Sequence, residues 1–138
     1  MMAPGYELLE HTSEVELRVH APSWSALLVE AADALTAHLT GGTPPHGTRT
    51  AWRRVDVRAP DRCALLVDWL NELLYRAEAE WWIPVEVVVE TASDCEVRAR
   101  VRGVPVDTAP TAVKAATLHG VSVGTGAAGL EATVILDV

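Results

Sequence analysis

The chain has 138 residues, 49% apolar and 22% charged, with 11 basic against 19 acidic residues and a formal net charge of −8 at pH 7. That size and balance suit one globular domain, 1–138, and the surplus of acid argues against an exposed nucleic-acid groove, which needs clustered basic residues. No apolar run approaches the roughly 18 residues of a membrane span, and the N-terminal MMAPGYELLEHTSE lacks the basic-then-apolar layout of a secretory signal, so the expectation is a soluble, cytoplasmic protein with no membrane partner.

In chain order, Glu14 to His20 alternates strictly, Val15, Leu17 and Val19 on one side and Glu14, Glu16, Arg18 and His20 on the other, which predicts a half-buried strand. Ser23 is a natural N-cap, and Trp24, Leu27, Leu28, Ala31, Leu35 and Leu39 then recur at helical spacing until Gly41-Gly42, giving a helix at about 23 to 40. Residues 42–50 read as a loop. Val55 and Val57 alternate with Arg54, Asp56 and Arg58 in a strand at 51–58. Asp61 then caps a second helix with a broad stripe of Leu65, Leu66, Trp69, Leu70, Leu73, Leu74 and Ala77. Four strands follow at about 82–91, 94–102, 115–123 and 130–137, the last two joined by a glycine-rich connection, 124–129. These elements fit an α+β, two-layer sandwich: a largely antiparallel sheet with two helices packed on one face and water on the other.

The chain holds no phosphate-binding loop, no dinucleotide fingerprint, no HExxH, no GxSxG and no metal-type Cys/His spacing; Cys63 and Cys95 stand apart, buried or incidental. What remains are polar residues near strand ends. Glu14 and Asp137, if strand pairing brings them together, are hard oxygen donors suited to a divalent cation, although such carboxylates are commonly just solvated. Lys114 is either solvated or a partner for phosphate or for those carboxylates. His11 and His119 are either backbone-bonded or proton carriers. Asp68, Asn71 and Glu72 lie on the polar side of the second helix, where a solvated face is the default. Trp81-Trp82 is either an exposed partner anchor or a buried helix-to-strand turn. Ten of the eleven basic residues are Arg, a bias that matches GC-rich coding; the one lysine is Lys114.

Four blocks in order, Tyr6-Glu-Leu-Leu-Glu-His-Thr-Ser-Glu14, Leu66-Val-Asp-Trp-Leu-Asn-Glu-Leu-Leu-Tyr75, Val113-Lys-Ala-Ala-Thr-Leu-His-Gly120 and Val134-Ile-Leu-Asp-Val138, together resemble the signature regions of the archease family over nearly the whole chain. The resemblance implies the family's small α+β fold and a non-catalytic cofactor that promotes guanylylation and multiple turnover of an RtcB-type tRNA-splicing and RNA-repair ligase. With the surplus of acid, no strong direct nucleic-acid binding is expected beside that role. An older description of the family is a chaperone for tRNA-modifying enzymes. Carried onto this sequence, the family's divalent cation (calcium, magnesium or manganese) falls to Glu14, Asp137 and the backbone carbonyl of Val138, with Lys114 as the functional lysine; His11 and His119, within the same blocks, are further partner-contact candidates by residue type. Ser13-Glu14 stands where the family pattern has Ala-Asp, one methylene longer, and Glu16 stands where a small residue is usual. The segment 106–113 is shorter than usual and lacks the family's His-Glu pair. The rival reading is a metal-dependent phosphoester hydrolase using the same carboxylates with His11 or His119 as acid or base.

Overall fold

The alternation of Glu14–Ala21 (β2) does what its period requires: Val15, Leu17, Val19 and Ala21 are buried, and the residues between them face outward. In the computed structural model, which describes residues 3–43, 45–127 and 129–138, the other strands are Gly5–His11 (β1), Arg53–Arg58 (β3), Trp82–Ala92 (β4), Glu96–Pro105 (β5), Ala115–Gly126 (β6) and Gly129–Asp137 (β7). Met1 and Met2 of the segment read for a signal, and Pro44 and Ala128 of the two expected loops, lie outside the described residues. The helices are Trp24–Thr40 (α1) and Arg62–Glu80 (α2). Both expected caps form: the Ser23 and Asp61 side chains accept from the N–H groups of Ala26 (3.2 Å) and Ala64 (2.9 Å). Gly41, left-handed at φ 66°, ends α1 as glycine does most readily, whereas α2 ends on the left-handed Trp81.

The α+β class stands, with every strand pair antiparallel, but the strands divide into two sheets, ordered β1-β2-β7-β6 and β3-β5-β4. Helix α1 packs on β1 and β2 of the first sheet and on β4 of the second, and α2 packs on β6 of the first and on β3, β4 and β5 of the second. The core is a single cluster drawn from both sheets and both helices, including Leu17, Leu28, Leu65, Trp69, Val101 and Leu136. Burial of each such leucine contributes about 1.5–3 kcal/mol. The Trp69 indole, fully buried, donates to the Leu28 carbonyl at 2.9 Å and ties the two helices together.

Two features of the four-stranded sheet shape its outer face. Strand β1, unexpected from the sequence, pairs along its full length with β2 through a two-residue turn, Thr12-Ser13. In β6, Thr117 pairs with Ile135 and Ser122 with Thr133, so five steps on β6 oppose two on β7 and Leu118–Val121 bulge outward. Gly120 turns that bulge at φ 74° against the Ile135 side chain.

Candidate metal and partner site

Strand register places the sequence-selected residues in one row. His11 pairs with Glu14 across the β1–β2 turn, Glu14 pairs with Asp137 across β2–β7, and Asp137 pairs with Ala115, the residue after Lys114, across β7–β6. Because directly opposed residues share a face and Val15 points into the core, His11, Glu14 and Asp137 all point outward at one end of the sheet. The Val138 N–H donates to the Ser13 carbonyl at 3.1 Å. That bond makes Glu14 and Asp137 the adjacent non-hydrogen-bonded pair, the closer of the two antiparallel arrangements, with about 4.5 Å between Cα atoms.

The row is fixed from behind by backbone contacts. Ser13 holds the turn in a left-handed conformation (φ 63°), which aims its carbonyl at Val138. The Lys114 N–H donates to the Asp137 carbonyl at 2.7 Å, and Val113 beside it is fully buried, so the segment before β6 is plugged into the core and Lys114 is left exposed. Asn71, expected on a solvated helix face, is instead a clamp: its side-chain amide donates to the Ala116 carbonyl (3.0 Å) and its carbonyl oxygen accepts from the Ala116 N–H (2.8 Å). Periodicity could not reveal this, because the partner lies 45 residues away on an edge strand.

The ion pairs set Lys114 apart. All ten arginines make a salt bridge, for example Arg18 with Glu16 (2.7 Å), Arg76 with Glu72 (3.0 Å) and Arg49 with Glu86. Among the described residues Lys114 is the only lysine or arginine without a carboxylate partner. Glu16, which adds charge near the row, is held by Arg18.

The donor chemistry fits a hard divalent cation: two opposed carboxylates on one face, with Val138 pinned next to Asp137, form an oxygen-only set. Like charges directly opposed across a sheet are unfavourable, and a cation between them would relieve that cost. No group of three His, Cys, Asp or Glu residues able to hold a metal occurs among the described residues, so the set depends on a backbone carbonyl as its third donor.

The remaining candidates separate. His119 lies in the exposed β6 bulge, outside the row, its N–H donating to Thr117 Oγ1 at 3.1 Å. Trp82 is buried, its indole donating to Glu80, whereas Trp81 is half exposed. Cys95 is exposed and Cys63 half-buried, so neither is a core residue. Tyr75, one turn beyond Asn71, and Leu118, within the Lys114–Gly120 block, are exposed at 65% and 59% and give this region apolar surface.

Residues 6–138 match the family model described as Archease protein family (MTH1598/TM1083). The chain is 29% identical to Protein archease of Methanosarcina mazei over 147 residues, covering 96% of this chain and 95% of that one. It is 32% identical to Protein archease of Methanopyrus kandleri over 125 residues, covering 86% and 88%. Among solved structures, the fold is similar to protein 1598 of Methanobacterium thermoautotrophicum (TM-score 0.76, 23% identity, 97% of this chain and 99% of that one). It is also similar to an archease, a possible chaperone, of Thermotoga maritima (TM-score 0.63, 18% identity, 94% of each chain).

Proposed function

The chain belongs to the archease family, and from that premise we propose that it is a protein cofactor of an RtcB-type RNA ligase, presenting a divalent cation held by Glu14, Asp137 and the Val138 carbonyl beside Lys114. The observation that carries this reading is the row itself: three strands from opposite ends of the chain converge to oppose two carboxylates, with Lys114, the only lysine or arginine without a carboxylate partner among the described residues, rooted next to them.

In this reading each residue has a distinct task. Glu14 and Asp137 are the anionic ligands; the extra methylene of Glu14 lets its carboxylate reach over the turn toward Asp137. The Ser13–Val138 bond keeps Val138 at the site, and the Asn71 clamp holds the start of β6, which carries Lys114. The Lys114 ammonium, a compact and strongly hydrated charge on a flexible stem, suits transient contact with a phosphate of the ligase's nucleotide. A bound cation would supply positive charge and open coordination positions for a phosphate or carboxylate oxygen. Tyr75 and Leu118 give the ligase an apolar foothold next to the row.

The test is multiple-turnover RNA ligation by a purified RtcB-type ligase with and without this protein. Stimulation is expected, and Asp137→Ala and Lys114→Ala should abolish it with the fold intact; normal stimulation by both variants would remove the row from the mechanism. A phosphoester hydrolase would instead turn over substrate alone, and a metal-independent chaperone would act equally in chelator when the ligase's own metal is supplied separately.

A further inference from the structure

A net charge of −8 conceals how the basic residues are placed. The outer face of β3-β5-β4 carries five of the eleven basic residues, joined at its edge by Arg49 of the preceding loop through Glu86, and only four of the nineteen acidic ones, so it is a positive surface on an otherwise strongly acidic chain. The alternation of β5 buries Val97, Ala99 and Val101 and sends Arg98, Arg100 and Arg102 outward in a line, about 6.7 Å from one to the next. Arg54 on β3 stands directly opposite Arg100, a like-charge pairing. Trp52 lies on the same face, with the guanidinium carbons of Arg102 and Arg100 over its ring, 4.6 and 5.2 Å from the centroid. Arg100 Nε is shielded from water without a hydrogen-bond acceptor, and its carboxylate neighbour Glu90 Oε2 stands off at 3.7 Å.

We propose that this open sheet face binds single-stranded nucleic acid. Arginines at every second position of a strand form a row of cations whose spacing suits the phosphates of an extended polynucleotide. Planar guanidinium groups held over an indole by cation–π contact offer a surface on which bases stack without sequence preference. An acidic protein surface would find the charge but gain nothing from the stacked planes, and a duplex would meet a sheet face with no element raised to enter a groove. The carboxylates Glu86, Glu90 and Glu96 hold the guanidinium groups of Arg102, Arg100 and Arg98 in place and moderate the attraction, so binding should be weak at physiological salt. The surface lies on the second sheet, while the Glu14–Asp137 row lies on the first, so it stands or falls independently of the ligase reading.

The experiment is fluorescence anisotropy of a labelled 12-nucleotide single-stranded RNA titrated with the full chain at about 50 and 200 mM salt. Saturable binding is expected, weakened at least tenfold by the R98Q/R100Q/R102Q variant. The slope of log affinity against log salt should fall by about 2, the loss of three phosphate contacts at about 0.7 each. R98Q alone, at an exposed position, should weaken binding measurably if the triple variant fails to fold, and R18Q, an exposed arginine of the first sheet, should bind as the wild type does. No binding at the lower salt would overturn the proposal, as would loss in R18Q equal to that in the triple variant or displacement by polyglutamate at charge parity as effective as by unlabelled RNA. Tighter binding of a duplex of the same length would likewise overturn it.

Discussion

Replacing Asp137 by Asn separates the two roles its carboxylate is given, repelling Glu14 when no cation is bound and holding the cation when one is. The pair is exposed at the end of a sheet, so water screens it: two unit charges at about 5 Å interact by about 0.8 kcal/mol in bulk water, within the range for like charges opposed across strands. Asp137→Asn should therefore stabilise the protein in chelator by about 0.5 kcal/mol. Unfolding entropy near the transition scales with chain length, and for 138 residues this is a rise in Tm of about 2 °C. Calcium at a hundred times its Kd should stabilise the wild type by about 2.7 kcal/mol, or about 9 °C. The variant, with one anionic ligand left, should show less than about a third of that rise. Scanning calorimetry in EDTA and in millimolar calcium measures both. A lower Tm for the variant in EDTA would refute the repulsion, and an undiminished calcium response would refute the ligand assignment.

Asn71→Ala should lower unfolding stability by about 2 kcal/mol in urea titrations, because it leaves both backbone groups of Ala116 without their side-chain partner, and Asn71→Asp should recover only the bond accepted from the Ala116 N–H. Ser13→Gly should stabilise by about 0.5–1 kcal/mol, since glycine adopts the left-handed turn without the Cβ penalty and the Ser13 carbonyl contact is a backbone one. Burial, and then the charge of Asp33 one turn on, hold the Glu30 carboxyl above its usual range against a smaller opposing effect of His20. The folded state thus keeps that proton longer than the unfolded chain, and Glu30 contributes a fall in stability as pH rises through its folded pKa. Glu30→Gln, which removes a like-charge neighbour of Asp33, should raise stability at neutral pH by up to about 0.5 kcal/mol and flatten the decline that accompanies ionisation of the carboxyl, as followed by thermal melts across pH.

What the sequence made legible was local. Strict alternation in β2 and β5, the leucine stripe of α2 and the caps Ser23 and Asp61 declare themselves within a few residues, because the period and the cap chemistry are local properties. Strand β1 was missed because Leu8 and Leu9 are adjacent and break the alternation; on an edge strand only partly covered by α1, either pattern is tolerated. One sheet was expected where two form, since alternation says which side of a strand is buried and is silent on its neighbours. The same limit explains the site. Glu14, Asp137 and Lys114 could be selected by residue type and by resemblance, but their convergence depends on β7 lying between β2 and β6, and the role of Asn71 depends on a contact across 45 residues. Net charge is silent on placement in the same way, since a chain-wide sum cannot show that arginines gather on one face.

The central claim is that the Glu14–Asp137–Lys114 row acts on a ligase, and guanylylation of a purified RtcB-type ligase, followed by transfer of labelled GMP to the enzyme, tests it most directly. The wild-type chain should accelerate label incorporation, Asp137→Asn and Lys114→Ala should lose that acceleration while melting as folded proteins, and Lys114→Arg should retain only part of it. Equal acceleration by all four proteins, or none by the wild type, would contradict the account.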